Sequence, residues 1–225
     1  MSPHIVDQPT ISNVRIRVDG QAIDGDLAVP ANAKGLVIFA HGSGSGRFSP
    51  RNRMVADALN GRQLATLLLD LLTPDEEARD AITREQRFDI GLLSGRVATA
   101  VDWAGTHVRT KELPIGLFGA STGAAAALVA AALRPDRVGA VVSRGGRPDL
   151  AGAMLGRVRA PTLLIVGGFD DVVIDLNRRA LAQLNCSKRL SIVPGATHLF
   201  EEPGTLDQVC RLAEAWFEQH LGREQ

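Results

Sequence analysis

The chain has 225 residues, 45% of them hydrophobic and 22% charged, with 25 basic residues balancing 25 acidic ones. That length suits one α/β domain with a well-buried core. A net charge of zero argues against a strong pull toward nucleic acid or anionic membrane, and two cysteines without metal-type spacing argue against a disulfide framework or a cysteine metal site.

The opening MSPHIVDQPT has no basic start followed by an apolar stretch, so no secretory signal is expected. The longest apolar runs, such as residues 124–133, are too short to span a bilayer. These features predict a single cytoplasmic domain over residues 1–225, a monomer or homodimer, with no nucleic-acid or membrane partner. VRIRV (14–18) and AIDGDLAV (22–29) alternate apolar and polar residues around Asp19-Gly20, which predicts an antiparallel hairpin. The pattern then changes. GLVIFA (35–40), ATLLLD (65–70), PIGLF (114–118), GAVVS (139–143), TLLIVG (162–167) and RLSIV (189–193) are short, nearly continuous apolar runs. Such runs fit strands buried on both faces of a parallel sheet.

Helices are expected between the runs. Ser49-Pro50 supplies an N-cap and first turn. Thr73 to Glu76 and Thr83 to Gln86 each fit a capping box, and Thr205 to Gln208 is read as the cap of the last helix. Residues 122–133 form an Ala-rich helix stopped before Pro135, and residues 176–184 form another. Strand and helix alternate after a leading antiparallel pair, which predicts a doubly wound, mostly parallel α/β sheet.

FAHGSGSGRF (39–48) follows a strand and precedes a helix, and Asp70 ends the next strand. Dinucleotide folds share that layout. Here, however, the glycines read G-x-G-x-G, Arg47 stands where the fingerprint needs Gly or Ala, and the helix opens only at Ser49-Pro50. A nucleotide or phosphate site is the non-catalytic alternative, and Asp70 is read as a strand end bonded to nearby backbone or an Arg.

LFGASTGAAAALVAA (117–131) is the most informative stretch. Gly119-Ala120-Ser121-Thr122-Gly123 is G-x-S-x-G between a buried strand and a helix, the context of a nucleophile elbow. A serine needs a base and an orienting acid, which follow in the order Ser, acid, His on such folds. LLIVGGFDDVVI (163–174) offers Asp170 and Asp171, and VPGATHLFEE (193–202) offers His198. Asp170 is the expected orienter, with Asp171 exposed or capping the next helix. His4, His107 and His220 are read as solvated, and His41 as a structural residue bonding the opening loop.

These motifs, in this order, resemble the α/β-hydrolase superfamily over essentially the whole chain. HGSGSGRFSPRN, LLLDLLTPDE, SRGGRPDL and PGATHLFEEPG are similar more narrowly to small dienelactone-hydrolase-like proteins, a type also found joined to phosphoribosyltransferase domains. The resemblance implies oxyanion donors at the Ser43 and Thr122 N–H groups, with no cofactor and no metal. Dienelactone hydrolases carry a cysteine nucleophile, whereas this turn carries Ser121. The expected activity is therefore a carboxylesterase-like serine hydrolase of small or soluble esters, with thioester, lactone and peptide hydrolysis as alternatives within the fold.

Fewer than twenty residues, RGGRPDLAGAMLGRVRAP, separate Ser143 from Thr162, which leaves room for one short helix and no large cap. Arg144 and Arg147 fall near the expected site. Either one binds a substrate carboxylate, or both serve structural ion pairs, with Glu201 or Glu202 as the expected partner.

Overall fold

The computed structural model describes residues 9–222. Eight strands form one sheet: β1 (Thr10–Val18), β2 (Gln21–Val29), β3 (Gly35–Ala40), β4 (Leu64–Leu69), β5 (Ile115–Ala120), β6 (Val138–Arg144), β7 (Thr162–Gly167) and β8 (Lys188–Val193). Six α-helices accompany them: α1 (Pro50–Gly61), α2 (Pro74–Thr83), α3 (Ile90–Ala104), α4 (Thr122–Leu133), α5 (Asp171–Gln183) and α6 (Thr205–Leu221). The strand order is β1-β2-β4-β3-β5-β6-β7-β8. β1 and β2 pair antiparallel, β2 meets β4 antiparallel, and all later pairs are parallel. This is an α/β-hydrolase fold with an antiparallel leading hairpin.

The hydrophobic pattern explains the layering. Every residue of β3, β4, β5 and β7 is buried, because helices cover both faces. α3 and α4 pack one face around Leu36, Ile38, Leu117 and Val141. α1 and α6 pack the other around Val37, Phe39, Phe118 and Phe217. The chain runs from β3 outward to β4 and then returns to β5 on the other side of β3. That reversal opens a crevice beyond the carboxyl ends of β3 and β5, where open α/β sheets bind ligands.

Four boundaries differ from the sequence reading, one of them α5, which starts at Asp171 rather than residue 176. β1 starts at Thr10 rather than residue 14, since its first residues are mostly exposed and carry no buried alternation. Thr83 closes α2 instead of opening a helix: Arg84 turns left-handed (φ 59°), and Asp89 caps α3 through a 2.9 Å bond from the Leu92 N–H. Asp80 causes the break, because its carboxylate accepts the Arg87 N–H and Nε at 3.0 and 2.5 Å. At α6 the cap position is Gly204, and the Thr205 hydroxyl donates backward to the Glu202 carbonyl. By contrast, Thr73 makes both bonds of its capping box. Between β6 and β7, a 3₁₀ segment (Pro148–Arg157), bent at Gly152, packs on α4 and α5, so no large cap is present.

Candidate active site

Ser121 stands at the turn from β5 into α4 with φ 51° and ψ −122°. A non-glycine residue there carries strain of about 1–3 kcal/mol, sustained only by dense surroundings. The surroundings are dense. A Cβ on Gly119 would lie 2.6 Å from the Gly123 carbonyl oxygen, and one on Gly123 would collide with the Ala40 and His41 carbonyl oxygens. Both glycines of G-x-S-x-G are thus required by backbone packed against backbone. The Ser121 N–H donates to the Arg144 carbonyl at 3.2 Å, and the Ser121 carbonyl accepts the Arg147 N–H at 3.0 Å. The side chain is partly exposed at the top of the sheet.

The opening loop lies beside it, and a Cβ on Gly42 would sit 3.0 Å from Ser121 Cβ. Its anchors come from elsewhere in the chain. His41 Nε2 accepts the Leu71 N–H at 3.0 Å, while Nδ1 donates to the Gly42 carbonyl at 2.9 Å. The ring is neutral in this arrangement, and burial pushes its pKa below the ordinary histidine value. His41 therefore has the structural role read from the sequence. Asp70 accepts the Arg47 N–H at 2.8 Å and pairs with the Arg47 guanidinium. Asp70 is thus the strand end bonded to nearby backbone and an Arg, as expected. One bond was not foreseen: the Ser43 N–H, expected as a free oxyanion donor, donates to Thr122 Oγ1 at 3.0 Å.

On the other flank, Asp170 Oδ2 accepts from His198 Nδ1 at 2.6 Å. The two loops are joined through their backbones. Gly168 N–H donates to Val193 O at 2.8 Å, and Phe169 N–H to Ala196 O at 2.9 Å. Glu202 fixes the histidine loop by accepting the Thr197 N–H and hydroxyl at 3.0 and 2.6 Å, and these bonds hold its carboxyl below the usual carboxylate range. Phe200, just beyond His198, is buried in the core. Asp171 is exposed as the first residue of α5. With Nδ1–H directed at Asp170, Nε2 is the nitrogen free to accept a proton. The His198 ring borders Gly145, since a Cβ there would lie 3.7 Å from His198 Cε1. Gly145 follows the residue whose carbonyl receives the Ser121 N–H, so both groups stand at the end of β6.

The arginines part ways. Arg147 makes a two-point pair with Asp149 at 2.9 and 2.8 Å. Arg144 is only 7% exposed and has no carboxylate partner among the described residues. Its Nη2 reaches Asn52 Oδ1 at 3.4 Å, and its Nε is buried without a partner. Burial, reinforced by the charge of Arg51, pushes the guanidinium pKa down to about 10. The expected pairing with Glu201 or Glu202 is not made, because Glu201 pairs with Arg51 at 3.2 Å and Glu202 is bonded to Thr197. Asn52 is the neighbour the sequence reading missed, in the first turn of α1 and 92 residues away from Arg144.

Neither cysteine competes with Ser121. Cys210 lies in α6, where burial pushes its thiol up to about 11, and Cys186 precedes β8 beside Thr162, at the opposite edge of the sheet. Among the described residues, no group of three or more His, Cys, Asp or Glu is arranged to hold a metal ion. No described helix is long and apolar enough to cross a membrane.

A family model described as the dienelactone hydrolase family matches residues 23–220. The chain belongs to the dienelactone hydrolase family. A crystal structure of a dienelactone hydrolase from Anabaena variabilis is 57% identical, with a TM-score of 0.94 over 95% of this chain and 99% of that one. A Mycobacterium tuberculosis protein named "Putative phosphoribosyl transferase" is 59% identical over 199 residues, 88% of this chain. This chain spans 44% of that relative's length. Est1E from Butyrivibrio proteoclasticus shares the fold, with a TM-score of 0.77 at 17% identity over 92% of this chain and 98% of its own. Family membership supports a hydrolase, and the more distant likeness shows the shared fold.

Proposed function

We propose that the chain is a serine hydrolase of small carboxylic esters, working through an acyl-enzyme. Ser121 Oγ attacks the ester carbonyl while His198 Nε2 takes its proton, and Asp170 keeps the imidazole in the required tautomer and stabilises the imidazolium. The oxyanion forms at the amino end of α4, against the Thr122 N–H and the Ser43 side of the opening loop. His198 then protonates the leaving alcohol, and water repeats the sequence on the acyl-enzyme. The observation that carries this reading is the 2.6 Å bond between His198 and Asp170, on loops converging beside the strained Ser121 turn. A cavity of about 230 Å³ between the opening loop and α2 is lined by Ser43, Leu72, Leu93, Glu77, Asp80 and Arg87, and none of Ser121, Asp170 or His198 lines it.

Arg144 bears on the substrate. A buried guanidinium without a counter-charge costs several kcal/mol, and an anionic group on the ester would recover that cost. The substrate we favour therefore carries a carboxylate near the scissile bond. Two comparisons test the reading. Ser121→Ala should lower kcat on p-nitrophenyl acetate by about 10⁵ or more; turnover equal to wild type would overturn the serine mechanism. Arg144→Gln should reduce kcat/KM for p-nitrophenyl hemisuccinate about tenfold or more beyond any loss on p-nitrophenyl butyrate. Equal losses on both esters would remove the carboxylate.

A further inference from the structure

The bond from Ser43 N–H to Thr122 Oγ1 raises a question the triad does not answer. The Ser43 amide was expected to face the oxyanion directly. Instead its proton is committed to a hydroxyl on the residue after the nucleophile, and that hydroxyl belongs to a side chain only 5% exposed. A hydroxyl accepts through its lone pairs and still has one proton to give. No other bond from Thr122 Oγ1 appears among the described contacts, so that proton is uncommitted within the site.

We propose that the Thr122 hydroxyl is itself an oxyanion donor, placed between Ser43 and the reacting carbonyl. This inference rests on Ser121 being the nucleophile. Thr122 then donates twice from one residue, through its N–H and its O–H. The Ser43 N–H stands behind the hydroxyl and polarises it, since hydrogen bonds in a chain strengthen one another. As Ser121 Oγ bonds to the carbonyl carbon, the carbonyl π pair moves onto oxygen and the Ser121 proton goes to His198 Nε2. The Thr122 proton stays on its own oxygen throughout and strengthens its bond to the oxyanion as charge develops. When the intermediate collapses, the pair returns to the carbonyl and the leaving oxygen takes the proton from His198. The bond also satisfies the half-buried Ser43 N–H.

The test compares wild type, Thr122→Val and Thr122→Ser on p-nitrophenyl acetate, with an aryl trifluoromethyl ketone as a probe that forms a tetrahedral oxyanion on the serine. Valine should lower kcat about 10- to 100-fold with little change in KM and weaken the ketone by a similar factor, as expected for one lost oxyanion donor. Serine, which keeps the hydroxyl, should stay within about threefold of wild type on both measures. If valine keeps wild-type kcat and ketone affinity while its melting temperature falls, the hydroxyl only braces the Ser43 amide and the proposal is wrong. Should the valine protein fail to fold, Thr122→Ala carries the same two readouts. Fluorophosphonate labelling of wild type separates the two levels. Labelled Ser121 with an unaffected valine variant overturns the Thr122 role alone, whereas an unlabelled wild type overturns the serine reading and the Thr122 role with it.

Discussion

Two loops meet at the top of the sheet, and they are held in opposite ways. The Ser121 turn is marked by its own five residues and clamped backbone against backbone: Gly119 packs on Gly123 and Ala124, Gly123 on the Ala40 and His41 carbonyls, and the Ser121 N–H and carbonyl bond Arg144 and Arg147. The opening loop at the end of β3 has no comparable local logic. Its shape depends on Leu71, Asp70 and Thr122, all from later parts of the chain. One loop is clamped by packed backbone, while the other is held by side-chain hydrogen bonds from a distance. A compact motif can therefore be read from a short stretch of sequence, whereas a donor's direction depends on the finished fold.

Substitutions can break this contrast, and the largest effect should fall on the close-packed turn. Gly123→Ala drives a methyl into the Ala40 and His41 carbonyls, where backbone cannot yield cheaply. It should cost about 3 kcal/mol or more of stability, read as a lower urea midpoint. A stable, active variant would show that the turn is less locked than its geometry indicates. Asp70→Ala releases the opening loop from Arg47 without touching Ser121. It should cost about 1–3 kcal/mol and lower kcat/KM roughly tenfold through misplacement of the loop, while fluorophosphonate still labels the serine. Unchanged kinetics would mean that the remaining tethers suffice.

The smallest effect concerns His41. Burial favours its neutral ring, so the unfolded chain takes up a proton that the native state refuses. The resulting stability is present above the ordinary value of 6.5 and is lost as pH falls below it. His107 and His220, expected to be solvated, are instead half-buried against Trp103 and Trp216, and burial lowers both in the same direction. Thermal melts at about pH 7.5 and about pH 5.5 should show the wild type losing stability on acidification. His41→Asn should show a shallower dependence on pH, and an identical slope in both proteins would remove His41 as a contributor.

Much of the architecture was legible in the sequence because burial on both faces writes continuous apolar runs, and the central strands of the sheet lie where those runs stand. The exposed start of β1 writes no such pattern. The break between α2 and α3 was also hidden, because Asp80 captures Arg87 across a turn that resembles a capping box. At the candidate site, motif and chain order singled out Ser121, Asp170 and His198, and the structure joins the last two by a hydrogen bond beside the turn that carries the first. The Ser43–Thr122 bond joins residues 79 apart, and Arg144 lacks a carboxylate because both candidate acids are engaged elsewhere. Neither relation has a local sequence signal.

The central claim is that Ser121 is the nucleophile, and covalent labelling tests it most directly. Wild type treated with a fluorophosphonate should carry one adduct, mapped by peptide mass spectrometry to Ser121, and Ser121→Ala should carry none. An unlabelled wild type, or an adduct that persists in Ser121→Ala, would contradict the account.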